Sequence, residues 1–475
     1  MRLALRQTGG LAAAAIVLAA PAPVAAHAFA ERYDLPLPLG FYLAGAGLAV
    51  ALSFLGSFVL IRPGPLRKYY IDIPVPPALA RLTRNLIRTI ALALLAVVIV
   101  AGLFGPESPT QNFATVFVWV IWWVGFALFT ALVVDLWGAG NPFRTVVDGT
   151  LRLTGLGRRE RLQPTATGWL AVAGLLIIAW LELVSDWAED PRALVLIVAI
   201  YTATVLAGAA LAGPRSWFET ADPLTRLFAL LGHVAPVAAR PGGVRLRLPA
   251  SGLVGMPASA AGAVFITCLI AIVLFDGLSE TPFWAGILDW ITRSQALRPG
   301  LLELRDAGVD ILKLIRTIGL LSMALVAGLL YLGLTLAMWR AVRGTQPPGR
   351  IFTGFAASLL PIAVAYHLAH YASYLALAGQ LMQPILSDPL GQGWDLFGTA
   401  NHRIDLGVID AGQVWWIAAV ALVMGHALSV FVAHAEALRL FPDRRQAIRS
   451  QLPMMGFMVG LTSLSLWILA QPIVA

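Results

Sequence analysis

The chain has 475 residues, of which 59% are hydrophobic and 12% charged, against about 25% charged in an ordinary soluble domain. That balance excludes a water-soluble globular protein and predicts an all-α, polytopic transmembrane helix bundle. The net charge of +8 is the arginine excess of loops in such a protein rather than a nucleic-acid surface, and the single cysteine, Cys268, excludes an internal disulfide and any multi-cysteine metal centre.

Residues 1–26 read as a signal peptide. Arg2 and Arg6 form the positive end, "LAAAAIVLAA" the apolar region, and "PVAAHAFA" the small-residue cleavage region; an uncleaved anchor is the alternative. Cleavage after Ala26 would leave His27 as the mature N-terminus, whose amine and ring nitrogen could chelate copper. A cut after Ala28 removes His27.

Residues 27–475 form a single integral-membrane domain. Ten apolar segments are long enough to cross about 30 Å of hydrocarbon: 39–61, 88–105, 113–137, 168–185, 194–213, 259–279, 314–338, 352–379, 413–436 and 453–473. With the mature N-terminus outside, the cytoplasmic loops hold 23 basic residues and the external segments seven. The positive-inside rule then places both termini on the outer side, and an export signal makes that side the periplasm of a bacterial inner membrane. The two longest inner loops, "NPFRTVVDGTLRL" and "SWFETADPLTRLFALLGHVAP", could hold interfacial helices. They carry no Gly-rich phosphate loop, which argues against an ATP-driven pump.

Ionisable groups within the bilayer cost about 2.5–3.5 kcal/mol each on insertion scales, so they are functional candidates by default. The eighth segment carries "YHLAHYASY", residues 366–374. His367 and His370 are three apart and share a helix face, which Tyr374 extends; Tyr366, Ser373 and Gln380 widen it. Interhelical hydrogen bonding is the bland explanation of such a stripe; a metal or substrate site is the sharper one. In the ninth segment His426 lies near mid-depth, where it could meet His367, whereas His434 lies about 12 Å deeper and is expected to pair with Glu436. Carboxylates gather at the outer ends: Glu182 and Asp186, Asp276, and Asp310 with Lys313 and Arg316 to neutralise it. Asp276 ends an apolar run, and Gly277 suits a helix stop. The external loop 388–402, with Asp388, Trp394 and Asp395, joins the two histidine-bearing segments and is expected to cap them.

Three histidines and a carboxylate at one depth suit zinc or copper as a divalent metal. The expected ligands are His367, His370 and His426. Asp276 serves as fourth ligand or base, Asp395 as a second catalytic acid and Tyr374 as the group that holds a substrate oxygen.

The stretches "FDGLSETPFW", "YHLAHYASYLALAGQ", "SDPLGQGWDLFGTA" and "GHALSVFVAHAEALRLF" resemble the polytopic bacterial membrane proteins named after fenitrothion hydrolase, as do "WLELVSDWAEDPR", "GAGNPFR" and the segment after residue 26. The resemblance covers most of the chain and is strongest from Asp276 onward. It implies hydrolysis of an organophosphorus triester at its phosphorus–aryloxy bond, hence a small apolar ester as substrate and the lipid bilayer as solvent. It implies no catalytic set. Two other classes stay open: a copper- or haem-handling membrane protein, and a small-solute transporter.

Overall fold

A computed structural model describes residues 38–60, 70–155, 164–257 and 259–471. The signal peptide and His27 lie outside the described residues, as do Arg62, Arg67, Lys68, Arg158, Arg159 and Arg161 of the first two inner loops.

The chain folds as an all-α polytopic bundle. Among the described residues nine helices are long and apolar enough to cross a membrane, and Gly168–Leu183 is a shorter apolar helix beside them. In chain order the main elements are α1 (Leu39–Leu60), β1 (Ile71–Pro74), α2 (Pro77–Phe104), α3 (Phe113–Leu132), α4 (Pro142–Thr154), α5 (Pro164–Leu183), α6 (Pro191–Ala212) and α7 (Pro223–Val234). Then come β2 (Val237–Arg240), β3 (Gly243–Leu246), α8 (Ala260–Ser279), α9 (Pro282–Arg293), α10 (Arg298–Asp306), α11 (Ile311–Ala341), α12 (Pro348–Ala356), α13 (Leu360–Ala378), α14 (Met382–Ser387), α15 (Ala411–Leu440) and α16 (Arg444–Leu469). Each of the ten apolar segments read from the sequence falls on one of these helices. The eighth runs further than expected, as one broken stretch over Pro348–Ser387.

The helix starts follow local chemistry. Proline opens α2, α4, α5, α6, α7, α9 and α12, where its missing N–H leaves nothing unsatisfied. Side chains of Asn141, Asp190, Ser259, Thr281, Asp310, Asp410 and Asp443 accept hydrogen bonds from first-turn backbone N–H groups. At Asp410 the cap is reciprocal, with Gln413 accepting from the Asp410 backbone.

Helices α8 and α13 are central. In the apolar windows that contain them 72% of the residues are buried, against 22% for α1 and α11. A buried polar residue on α8 or α13 therefore faces another helix or a cavity. Helices α13 and α15 cross closely at Gly425: a Cβ there would stand 2.3 Å from the Ala365 Cβ and 2.8 Å from the Pro361 carbonyl oxygen. Helix α3 is π-helical over Val116–Phe126. One end of that stretch is fixed by the Trp119 indole, which donates to the Ala188 carbonyl at 2.8 Å.

The two long loops that could hold interfacial helices contain α4 and α7, and the chain also forms a small sheet that the sequence reading did not foresee. Its order is β1-β3-β2, antiparallel throughout, with Asp72 opposite Arg245. The signal was present in "VAARPGGVRLRL": two short runs, each with a valine, around a Pro-Gly turn. Asp72 binds both Arg240 and Arg245, the latter Nε at 2.7 Å from Oδ1. The Arg245 guanidinium beside it holds the Asp72 carboxyl below the usual carboxylate range.

Candidate functional site

The last turn of α8 reads "DGLSE". Asp276 and Glu280 are four apart and so share a face. The helix ends at Glu280, because Thr281 caps α9, accepting from the Trp284 N–H at 3.3 Å, and Pro282 opens that helix. Gly277 is not a stop. It lies inside the helix, where a Cβ would come within 2.5 Å of the Tyr366 Oη and 3.2 Å of Ile468. Glycine here lets α13 approach α8 closely enough for side chains of the two helices to meet.

They meet at Asp276. The His370 Nε2 stands 3.0 Å from Asp276 Oδ2, and the Tyr371 hydroxyl donates to the same oxygen. Among the described residues one group of three or more acid, histidine or cysteine side chains brings its ligand atoms within 4.8 Å of one another: Asp276, Glu280 and His370. Zinc bonds of about 2.0–2.2 Å place tetrahedral donors roughly 3.4 Å apart, so small side-chain rotations would close this set around an ion.

Because Tyr371 follows His370, their side chains leave α13 in different directions, and each lines a different cavity. His370 and Glu280 line one of about 640 Å³, together with Ser373, Gln471 and Trp415. Tyr371 lines the other, of about 700 Å³, together with His367 and Glu182. Asp276, bonded to both His370 and Tyr371, stands between them.

The structure thus brings together part of what the sequence suggested. His367 and His370 share a helix but open onto different cavities, so they do not act as joint ligands. His426 does not join them. It is fully buried, its Nδ1 is 2.8 Å from the Leu422 carbonyl of its own helix, and it lines neither cavity. The trio His367, His370 and His426 is therefore not a cluster; a shared depth did not mean a shared facing direction. Tyr374 lies outside the site, 42% exposed with its ring 6.1 Å from that of Tyr371. Asp395 is exposed and accepts from the Ala400 backbone N–H at 3.0 Å, which shapes its own loop. Trp394 is 44% exposed. Loop 388–402 is anchored through Ser387, whose hydroxyl meets Thr399 at 2.7 Å. Beyond it Gln380 of the Gly379–Leu381 turn exchanges hydrogen bonds with the Asp405 backbone at 2.9 and 3.0 Å. His434 pairs with Gln451, not Glu436; Glu436 instead binds Arg439 at 2.9 Å and the Gly255 backbone at 3.0 Å.

Two residues of the site were not singled out from the sequence. Glu280 is i+4 from Asp276, and Tyr371 is i+4 from His367, so helical spacing alone could have named both. Comparison of the chain with protein-family models, with curated proteins and with solved structures gave no match.

Proposed function

We propose that this protein is a membrane-embedded, metal-dependent hydrolase of apolar esters, with Asp276, Glu280 and His370 as its metal ligands. The observation that carries the reading is the pairing of a three-donor set with an open cavity. Structural zinc sites use four protein ligands, whereas catalytic ones use three and leave a position free. One imidazole and two carboxylates are such a set, and they suit zinc or another divalent ion. An ion held there would polarise an ester oxygen and bring the pKa of water toward neutrality.

The chain's own residues do the rest. Tyr371 positions Asp276 by donating to Oδ2, which leaves Oδ1 free to turn toward the ion. Ser373 and Gln471 supply polar contacts for ester oxygens across the cavity, and Trp415 gives it an apolar wall. The resemblance to the fenitrothion hydrolase type supplies the substrate class, an organophosphorus triester with an aryloxy leaving group. Such a molecule partitions into lipid, which fits a site between membrane helices. The arginine distribution supports a periplasm-facing position for this end of the bundle in a bacterial inner membrane.

One observation favours a second reading. His370 and Tyr371, which line different cavities, share a single carboxylate oxygen, and chains of acids and histidines within membranes carry protons in transporters.

The deciding experiment is metal analysis of detergent-purified wild type beside His370→Ala, with hydrolysis of diethyl para-nitrophenyl phosphate measured on the same samples. The reading expects a stoichiometric divalent metal in wild type, and loss of both metal and hydrolysis in the variant. Wild type that holds no metal, or a variant that keeps its metal, overturns the ligand set. Copper or haem in place of zinc would move the protein to the metal-handling class.

A further inference from the structure

The second cavity is a site of its own. It lies between α3, α5, α7, α8 and α13, and apart from Glu182, His367 and Tyr371 every lining residue is apolar. About 700 Å³ of space, part of it open to solvent, lies between its lining side chains, and the lining has the make-up of small-molecule pockets, mostly apolar with a few convergent polar groups. Along α13 the lining runs from Leu360 to Tyr371, about 16 Å at 1.5 Å per residue. The chamber is therefore long and apolar, with its polar groups at one end.

Those polar groups define a head. The Tyr371 hydroxyl gives its hydrogen to Asp276, so towards the chamber its oxygen can only accept. The Glu182 carboxyl offers acceptor oxygens as well. The His367 Nε2 has no hydrogen-bond partner within the protein, and it donates or accepts according to tautomer. A buried polar atom left unpaired is destabilising, so a ligand that pairs it recovers that loss. A hydroxyl has one hydrogen to give to the Tyr371 oxygen or the Glu182 carboxyl, and an oxygen that accepts from His367. A carboxylate head carries no hydrogen and so gives the Tyr371 oxygen no donor. Two rings, of Trp123 and Tyr371, flank this end, which favours a flat head over an aliphatic alcohol.

We propose that the apolar chamber binds a lipid-soluble phenol with an apolar tail, its hydroxyl held among Glu182, His367 and Tyr371. The site is separate from the acid–histidine group and does not require a metal there, so it stands or falls independently of the hydrolase reading.

The test is scintillation-proximity binding of tritiated para-octylphenol to the full chain in maltoside micelles, with empty micelles as the blank. The proposal expects saturable binding. The methyl ether of the same phenol should compete at least tenfold more weakly, because it cannot donate. Glu182→Gln and His367→Leu should each weaken binding about tenfold, and Ala179→Phe, which fills the chamber, should abolish it. Equal competition by the ether means apolar partition only and overturns the proposal. So does wild-type binding by Glu182→Gln, which preserves shape and folding even if Ala179→Phe does not. Stronger competition by para-octylbenzylamine would make this a cation site and also overturns it.

Discussion

Replacing Asp276 by alanine removes the acceptor that His370 and Tyr371 share on the two most enclosed helices. Two hydrogen bonds vanish, and each leaves a polar atom in low-dielectric surroundings. Leaving a buried partner unsatisfied costs about 1–3 kcal/mol, so the pair should lose about 2–6 kcal/mol. Tyr371→Phe removes only a donor and leaves Asp276 bonded to His370; a single neutral hydrogen bond is worth about 0.5–1.5 kcal/mol. Asp276→Asn should fall between, since its amide oxygen can still accept from one partner. Thermal unfolding of the purified protein in one detergent, without added metal, should therefore rank wild type, Tyr371→Phe, Asp276→Asn and Asp276→Ala in falling order of midpoint. If Asp276→Ala melts with wild type, Asp276 is not the acceptor that joins α8 to α13, and both the metal site and the sharing of one oxygen between two cavities fall with it.

Gly425→Ala should destabilise the α13–α15 crossing by about 1–3 kcal/mol, the usual cost of overpacking, because its Cβ would stand 2.3 Å from Ala365; a melting midpoint equal to wild type would show that the helices can part cheaply. Asp72 stabilises the sheet through Arg245 and Arg240 in its charged form, and its folded carboxyl titrates below the usual range. That stabilisation is complete above the ordinary carboxylate pKa and is lost as pH falls through the lowered folded value, below about pH 4. Proteolysis at the Pro241–Gly242 turn should therefore rise on acidification in wild type and show no such acid step in Asp72→Asn. Gln380→Ala should free residues around Asp405, read as faster amide exchange there, while leaving binding at either cavity unchanged; protection equal to wild type would mean that Ser387 and Thr399 hold the loop without it. Reporter fusions after Thr154 and after Asp395 should report cytoplasm and periplasm respectively, and the reverse pattern would invert the orientation.

Composition alone determined that this is a multi-span helical bundle, because 59% apolar residues in runs of about twenty leave few alternatives to helices in lipid. Helix starts were legible too: proline and capping side chains act within four residues and depend on nothing distant. The sequence also gave Asp276 and His370 as chemically important, since a polar residue in an apolar run must have a partner. It could not say which partner. Three histidines at similar depth were expected to converge, yet His426 turns to the Leu422 carbonyl and His367 to a separate chamber. Facing direction depends on how each helix is rotated and how closely it approaches its neighbours, and those are set by distant contacts such as Gly277 against Tyr366 and Gly425 against Ala365. Only the tertiary packing brought the last turn of α8 beside the middle of α13. That one approach assembled Asp276, Glu280, His370 and Tyr371, and it placed a single carboxylate oxygen between two cavities.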